Sequence, residues 1–183
     1  MSGVASGGEA QSIFSVAPAD AFRGLPDVTF QYYDVYGSDE ASISESLNRN
    51  APTRPDGSKA MGATGYKTGF RPFQVGDGAA CKVTKLQVRV SAVVILPRLR
   101  DESAVPAGLL ARWRGFVAGL REHEAGHVRI EYEHMRGIEA ALIGSRCDQI
   151  QARFQAATDR IATFQQAYDR KTNHGDTQGA TLR

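Results

Sequence analysis

The chain has 183 residues, 42% of them apolar and 23% charged, with a net charge of +2. That is the length and composition of one soluble globular domain with a core of its own, neither disordered nor membrane-embedded. So small a charge, with no dense Lys/Arg stripe, gives no nucleic-acid footprint, and no apolar run approaches the roughly 18 residues that span a bilayer.

Residues 1–26 have recurring Gly, Ser and Pro and no sustained period, which reads as an irregular segment ahead of a domain at 27–180. The first ten residues have neither a basic stretch nor an apolar core, so no signal peptide is visible. A cytosolic protein or a mature N-terminus behind an added Met would both look this way.

From Asp27 to Tyr36 the run DVTFQYYDVY is rich in β-branched and aromatic residues and predicts a strand. Ser38 offers an N-cap, Asp39 and Glu40 a negative first turn, and Ile43 and Leu47 an apolar stripe. A short helix to about Asn48 follows, stopped by Pro52 and Pro55. Gly62 to Gly78, with Tyr66, Phe70 and Phe73 between glycines, predicts a second strand. From Cys81 to Leu96 the period is two: Leu86, Val88, Val90, Ala92 and Val94 alternate with Lys85, Gln87, Arg89 and Ser91. Cys81 and Val83 are in the opposite phase, which predicts a bulge near Thr84, and Pro97 is expected to end the run.

After Pro106 the pattern turns helical. Leu109, Leu110, Trp113, Phe116, Val117 and Leu120 are spaced for one face, continued by Val128, Ile130, Met135, Ile138 and Leu142. Gly144 and Ser145 interrupt it, and a second helix has the stripe Ile150, Phe154, Ala157, Ile161, Phe164, Tyr168. The expected fold is therefore α+β: a β-rich N-terminal half of antiparallel strands plus a short helix, packed on two long C-terminal helices.

Residues 123–127 read His-Glu-Ala-Gly-His. On a helix, positions i and i+4 share a face, so His123 and His127 can hold one Zn²⁺. Glu124 flanks that face, where its carboxylate can act as general base on a zinc-activated water. A catalytic zinc needs a third protein ligand. His174 is the leading choice, because it follows a helix expected to run back along the first. Asp169, Glu139 and His134 are the alternatives, and a fourth ligand such as Glu131 or His134 would instead make a closed, non-catalytic site. Tyr168 continues an apolar stripe, yet its phenol is also a candidate to stabilise an oxyanion. Trp113 and Phe116 read as core. The two cysteines, Cys81 and Cys147, fit either two thiols or one disulfide.

In order, the chain presents YYDVYG, a Cys before a strand ending in LP, and W-x-x-F-x-x-x-L-x-x-H-E-x-G-H. A second Cys and YDxxTxHGxxQGA follow. This order resembles a bacterial domain-of-unknown-function family of predicted secreted zinc-dependent proteases, grouped with the zincin-like peptidases. The resemblance runs from about Asp27 to Ala180. It implies a secreted or periplasmic protein, a Cys81–Cys147 disulfide, and a functional role for His174. The function it implies is a zinc-dependent metallopeptidase acting on a peptide or protein substrate, with an edge strand available to pair with it. A zinc amidase or deacylase at the cell envelope, and a zinc-stabilised binding module, are the competing readings.

Overall fold

The computed structural model describes residues 20–54 and 57–182. Most of the segment expected to be irregular, and Pro55, fall outside them. The strands are β1 (Val28–Val35), β2 (Ala63–Val75) and β3 (Lys82–Leu99), and the helices are α1 (Glu40–Asn50), α2 (Ala107–Leu142) and α3 (Ile150–Thr172). The fold is α+β, with a three-stranded sheet followed by two long helices.

The sheet order is β1-β3-β2, with β2 antiparallel to β3 but β1 parallel to it. This corrects the expectation of an all-antiparallel sheet. Val35 pairs with Leu99 and Ala63 with Ile95, so β1 ends and β2 begins beside the C-terminal end of β3, with α1 between them in the chain. No long crossover back to the other end is needed. Helix α1 is fixed at its start by a capping box between Asp39 and Ser42, one residue later than the cap expected at Ser38. It buries Ile43 and Leu47, and Ser46 Oγ accepts from Tyr36 N at 2.9 Å.

The bulge falls at Thr84: Phe73 pairs with Lys85 and Gln74 with Val83, leaving Thr84 unpaired. Pro97, in contrast, does not end β3; it pairs with Tyr33 and the strand runs on to Leu99. Ala92 N donates to Asp27 O and Arg100 N to Val35 O, so even-numbered residues of this stretch turn their N–H groups toward β1. Pro97 faces the other side, beyond the first residue of β2, where no ladder bond is lost.

Helix α2 is about 54 Å long at 1.5 Å per residue, and α3 runs antiparallel beside it. Trp113, Phe116, Leu120 and Val128 bury against Ala92, Val94 and Leu96 of β3, one contiguous core. Met135, Ile138 and Leu142 form a second cluster with Leu86, Ile150, Phe154 and Ile161. Full burial of each such side chain is worth about 1.5–3 kcal/mol. Phe164, expected in that stripe, is 48% exposed and packs its ring on His134 instead. Cys81 and Cys147 form a disulfide that joins the start of β3 to the turn before α3.

Candidate metal centre

The motif occupies the middle of α2, where the helix is covered by the start of β2, the last turns of α3 and the C-terminal loop. His123 and Glu124 are buried, and His127 is 14% exposed at its side chain. From α3, Asp169 brings Oδ1 to 3.2 Å from His123 Nε2 and 3.0 Å from His127 Nε2, and the two Nε2 atoms are 3.2 Å apart. Among the described residues these three make the one group of His, Cys, Asp or Glu ligand atoms close enough to share a cation. Tetrahedral zinc with bonds of about 2.0–2.1 Å has ligand–ligand edges of about 3.3 Å. The triangle is therefore of the size that zinc requires.

The proton inventory points the same way. Gln165 Oε1 lies 2.6 Å from His127 Nδ1, and Gln178 Oε1 lies 3.0 Å from His123 Nδ1. Gln165 Nε2 donates to the His127 carbonyl at 3.1 Å, which orients that amide, while the Gln178 amide shares hydrogen bonds with the Tyr168 hydroxyl at 3.0 and 3.3 Å. An amide oxygen only accepts, so Gln165 favours a proton on His127 Nδ1, the state in which Nε2 can offer its lone pair to a cation. The two Nε2 atoms and the Asp169 carboxylate oxygen face one another. A proton can bridge two of them, whereas a divalent cation satisfies all three, and the donor set of two imidazoles and a carboxylate suits zinc.

With no cation between them, these groups pair with one another. Burial would raise Asp169, but the His123 and His127 hydrogen bonds overcome it and hold the carboxyl well below its usual range. Burial would lower His127, and the hydrogen bonds its ring makes to Asp169 and Gln165 outweigh it, so its pKa is raised. Glu124 is raised by burial, against the opposing hydrogen bond from Thr64. Thr64 Oγ1 donates to Glu124 Oε2 at 2.6 Å. A Cβ at Gly62 would stand 2.6 Å from Glu124 Oε1, so the carboxylate is seated between these two residues of the β2 side. A cleft of about 280 Å³ opens here, shared by Glu124, both histidines and Asp169 with Arg54, Thr64 and Tyr66.

The expected third ligand, His174, is not in the group. Its side chain is 65% exposed and its Nδ1 is 3.8 Å from Asp169 Oδ1. Asn173 and His174 both take left-handed conformations (φ 49° and 53°), which turn the chain away at the end of α3. His134 Nδ1 is engaged with its own helix, 2.8 Å from Ile130 O, and Glu139 lines a separate hollow beside Tyr132 and Arg136. Glu131 is buried but lies outside the group.

Tyr168 stacks on His123 with ring centroids 5.3 Å apart, and its hydroxyl is engaged by Gln178. That places it on the Nδ1 side of His123, where it holds the imidazole through Gln178. Sequence reasoning misses Gln165, because a glutamine four residues before Asp169 has no local signature, and it finds Gln178 in the motif YDxxTxHGxxQGA without giving it a role.

The sequence pattern of a bacterial family of unknown function, DUF922, matches residues 30–175. The chain belongs to the DUF922 family. Every residue of the metal group falls inside the matched DUF922 span, as do Thr64, Gln165 and Tyr168, while Gln178 lies just beyond it. No curated protein and no solved structure matches the chain.

Proposed function

We propose that this DUF922 protein is a zinc-dependent hydrolase of zincin type, acting as a peptidase, with His123, His127 and Asp169 as metal ligands and Glu124 as general base. The observation that carries it is the convergence of the two Nε2 atoms and the Asp169 carboxylate at mutual distances of 3.0–3.2 Å. Zinc held there would supply Lewis acidity, acidifying water and polarising a substrate carbonyl.

The protein's own groups have separable tasks. Gln165 holds His127 in the ligating tautomer, and Gln178 holds the ring of His123 in place. Thr64 and Gly62 seat the Glu124 carboxylate, which takes the proton of the attacking water and returns it to the leaving amine. Burial keeps that carboxylate's proton affinity above the ordinary carboxylate range, toward the value a base needs near neutrality.

Three protein ligands favour a hydrolase over a closed structural site, since among the described residues no fourth His, Cys, Asp or Glu joins the group. A peptide substrate is favoured because Ala63, Thr64 and Tyr66 of β2 line the cleft and β2 is an edge strand of the sheet. Such an edge pairs with an extended chain. The disulfide, and the lack of any described helix long and apolar enough to cross a membrane, agree with a secreted or periplasmic setting.

The test is cleavage of a mixed peptide library, read by mass spectrometry, by zinc-loaded wild type and Glu124→Gln. Wild-type cleavage lost by at least about 10²-fold in Glu124→Gln, at equal zinc content, supports the reading. Equal cleavage by both sinks it.

A further inference from the structure

Glu131 is a carboxylate that the proposed hydrolytic steps leave without a task. It is 6% exposed and sits one turn beyond His127 on the same face of α2, yet it is not part of the metal group. Taking a carboxylate out of water costs several kcal/mol unless hydrogen bonds compensate. Among the described residues, the donor that reaches it is Gln165 Nε2, 3.4 Å from Oε2.

That same amide nitrogen faces two more acceptors, the His127 carbonyl at 3.1 Å and the Tyr66 hydroxyl oxygen at 3.4 Å. On the other side, Gln165 Oε1 stands 2.6 Å from His127 Nδ1. Turning the amide over would set its oxygen against a carboxylate and a carbonyl, and would offer an N–H to His127 Nδ1. The imidazole would then have to carry its proton on Nε2, the atom that faces the metal, and could not ligate.

We propose that Glu131 is a positioning residue for the metal centre: with the His127 carbonyl it locks the Gln165 amide, and through it holds His127 as the Nδ1–H tautomer. This rests on the zinc reading above, but its first readout does not need the metal. In wild type stripped of metal, at a pH above the His127 pKa, two-dimensional ¹⁵N NMR of the imidazoles should show the Nδ1–H tautomer of His127 populated. In Glu131→Leu the Nε2–H tautomer should gain population, and zinc affinity should fall by about 10- to 100-fold, the range for loss of an outer-shell partner. Glu131→Gln keeps an oxygen acceptor toward Gln165 and should restore most of both.

Gln165→Leu removes the middle of the relay and should reproduce the tautomer change and the zinc loss. Adding Glu131→Leu to it should cost no further zinc affinity. A Glu131→Leu protein with the wild-type tautomer and zinc affinity, changed only in melting temperature, would make Glu131 a merely structural acid and overturn the proposal. If that variant does not fold, wild-type tautomer and zinc affinity in Gln165→Leu overturn it equally. Absence of zinc binding by wild type would instead remove the hydrolase reading, while the NMR comparison still decides what Glu131 does to His127.

Discussion

Gly126 lies directly under Tyr168: a side-chain carbon at position 126 would overlap the tyrosine hydroxyl and ring. The glycine of the H-E-x-G-H run is thus explained by a neighbour 42 positions away rather than by any backbone conformation. In a helix interior Ala is favoured over Gly by about 0.8–1 kcal/mol, so propensity alone predicts that Gly126→Ala stabilises. The overlap decides otherwise, since overpacking costs about 1–3 kcal/mol. Gly126→Ala is expected to lower stability by up to about 2 kcal/mol in denaturant unfolding, the overpacking cost less the propensity gain. Zinc affinity should fall too, because Tyr168 holds Gln178 against His123. Tyr168→Ala in the same chain should relieve the clash, making the double variant less destabilised than the sum. Simple additivity would show that the two side chains do not meet.

The third ligand separates two variants cleanly. Asp169→Ala removes a carboxylate that contacts both histidines and should strip the protein of zinc during gel filtration against a weak chelator. His174→Ala removes an exposed ring and should leave about one zinc per chain. Zinc retained in Asp169→Ala and lost in His174→Ala would return the third position to His174.

How far the sequence carries depends on the range of the contact. His123, Glu124 and His127 were legible because i, i+4 spacing on a helix is local geometry, and the bulge at Thr84 was legible from a phase change along one strand. Asp169 was visible only as one of several acids and histidines, because its selection depends on how α3 ends. Two consecutive left-handed residues at 173 and 174 send His174 outward, and neither is a glycine that would have signalled it. The direction of β1 against β3 is a pairing between distant segments that alternation does not encode. Pro97 misled for the same reason: a strand tolerates proline where its missing N–H faces no partner, and that depends on where β2 begins.

Thr64 supplies a pH test of the general base. Burial raises the Glu124 pKa, and the Thr64 hydrogen bond is the largest influence that lowers it. Thr64→Val removes the donor, so the Glu124 pKa should rise further. A base acts only when deprotonated, so activity climbs as pH passes upward through its pKa. The acid limb of the kcat/KM profile should therefore move to higher pH in Thr64→Val, with zinc content unchanged. A limb that stays in place, or moves to lower pH, would detach that limb from Glu124.

The disulfide makes the opposite kind of prediction, a large effect on stability with none on the site. Cys81 and Cys147 close a loop spanning 66 positions, which in the chain-entropy model restricts the unfolded state by about 4 kcal/mol. In the folded protein the two ends are also held by backbone bonds: Cys147 N to Cys81 O, Val83 N to Ser145 O and Gly144 N to Val83 O. Losing the sulfur bridge should therefore leave this junction in place and act mainly through the unfolded chain. The metal group lies near the far end of α3, about 30 Å along the helix from Cys147. Cys81→Ala with Cys147→Ala is expected to lower the melting temperature by on the order of 10 °C. Zinc stoichiometry and affinity of the folded protein at room temperature should match wild type. A change in zinc affinity without a drop in melting temperature would mean that the bridge acts on the folded site rather than on the unfolded chain.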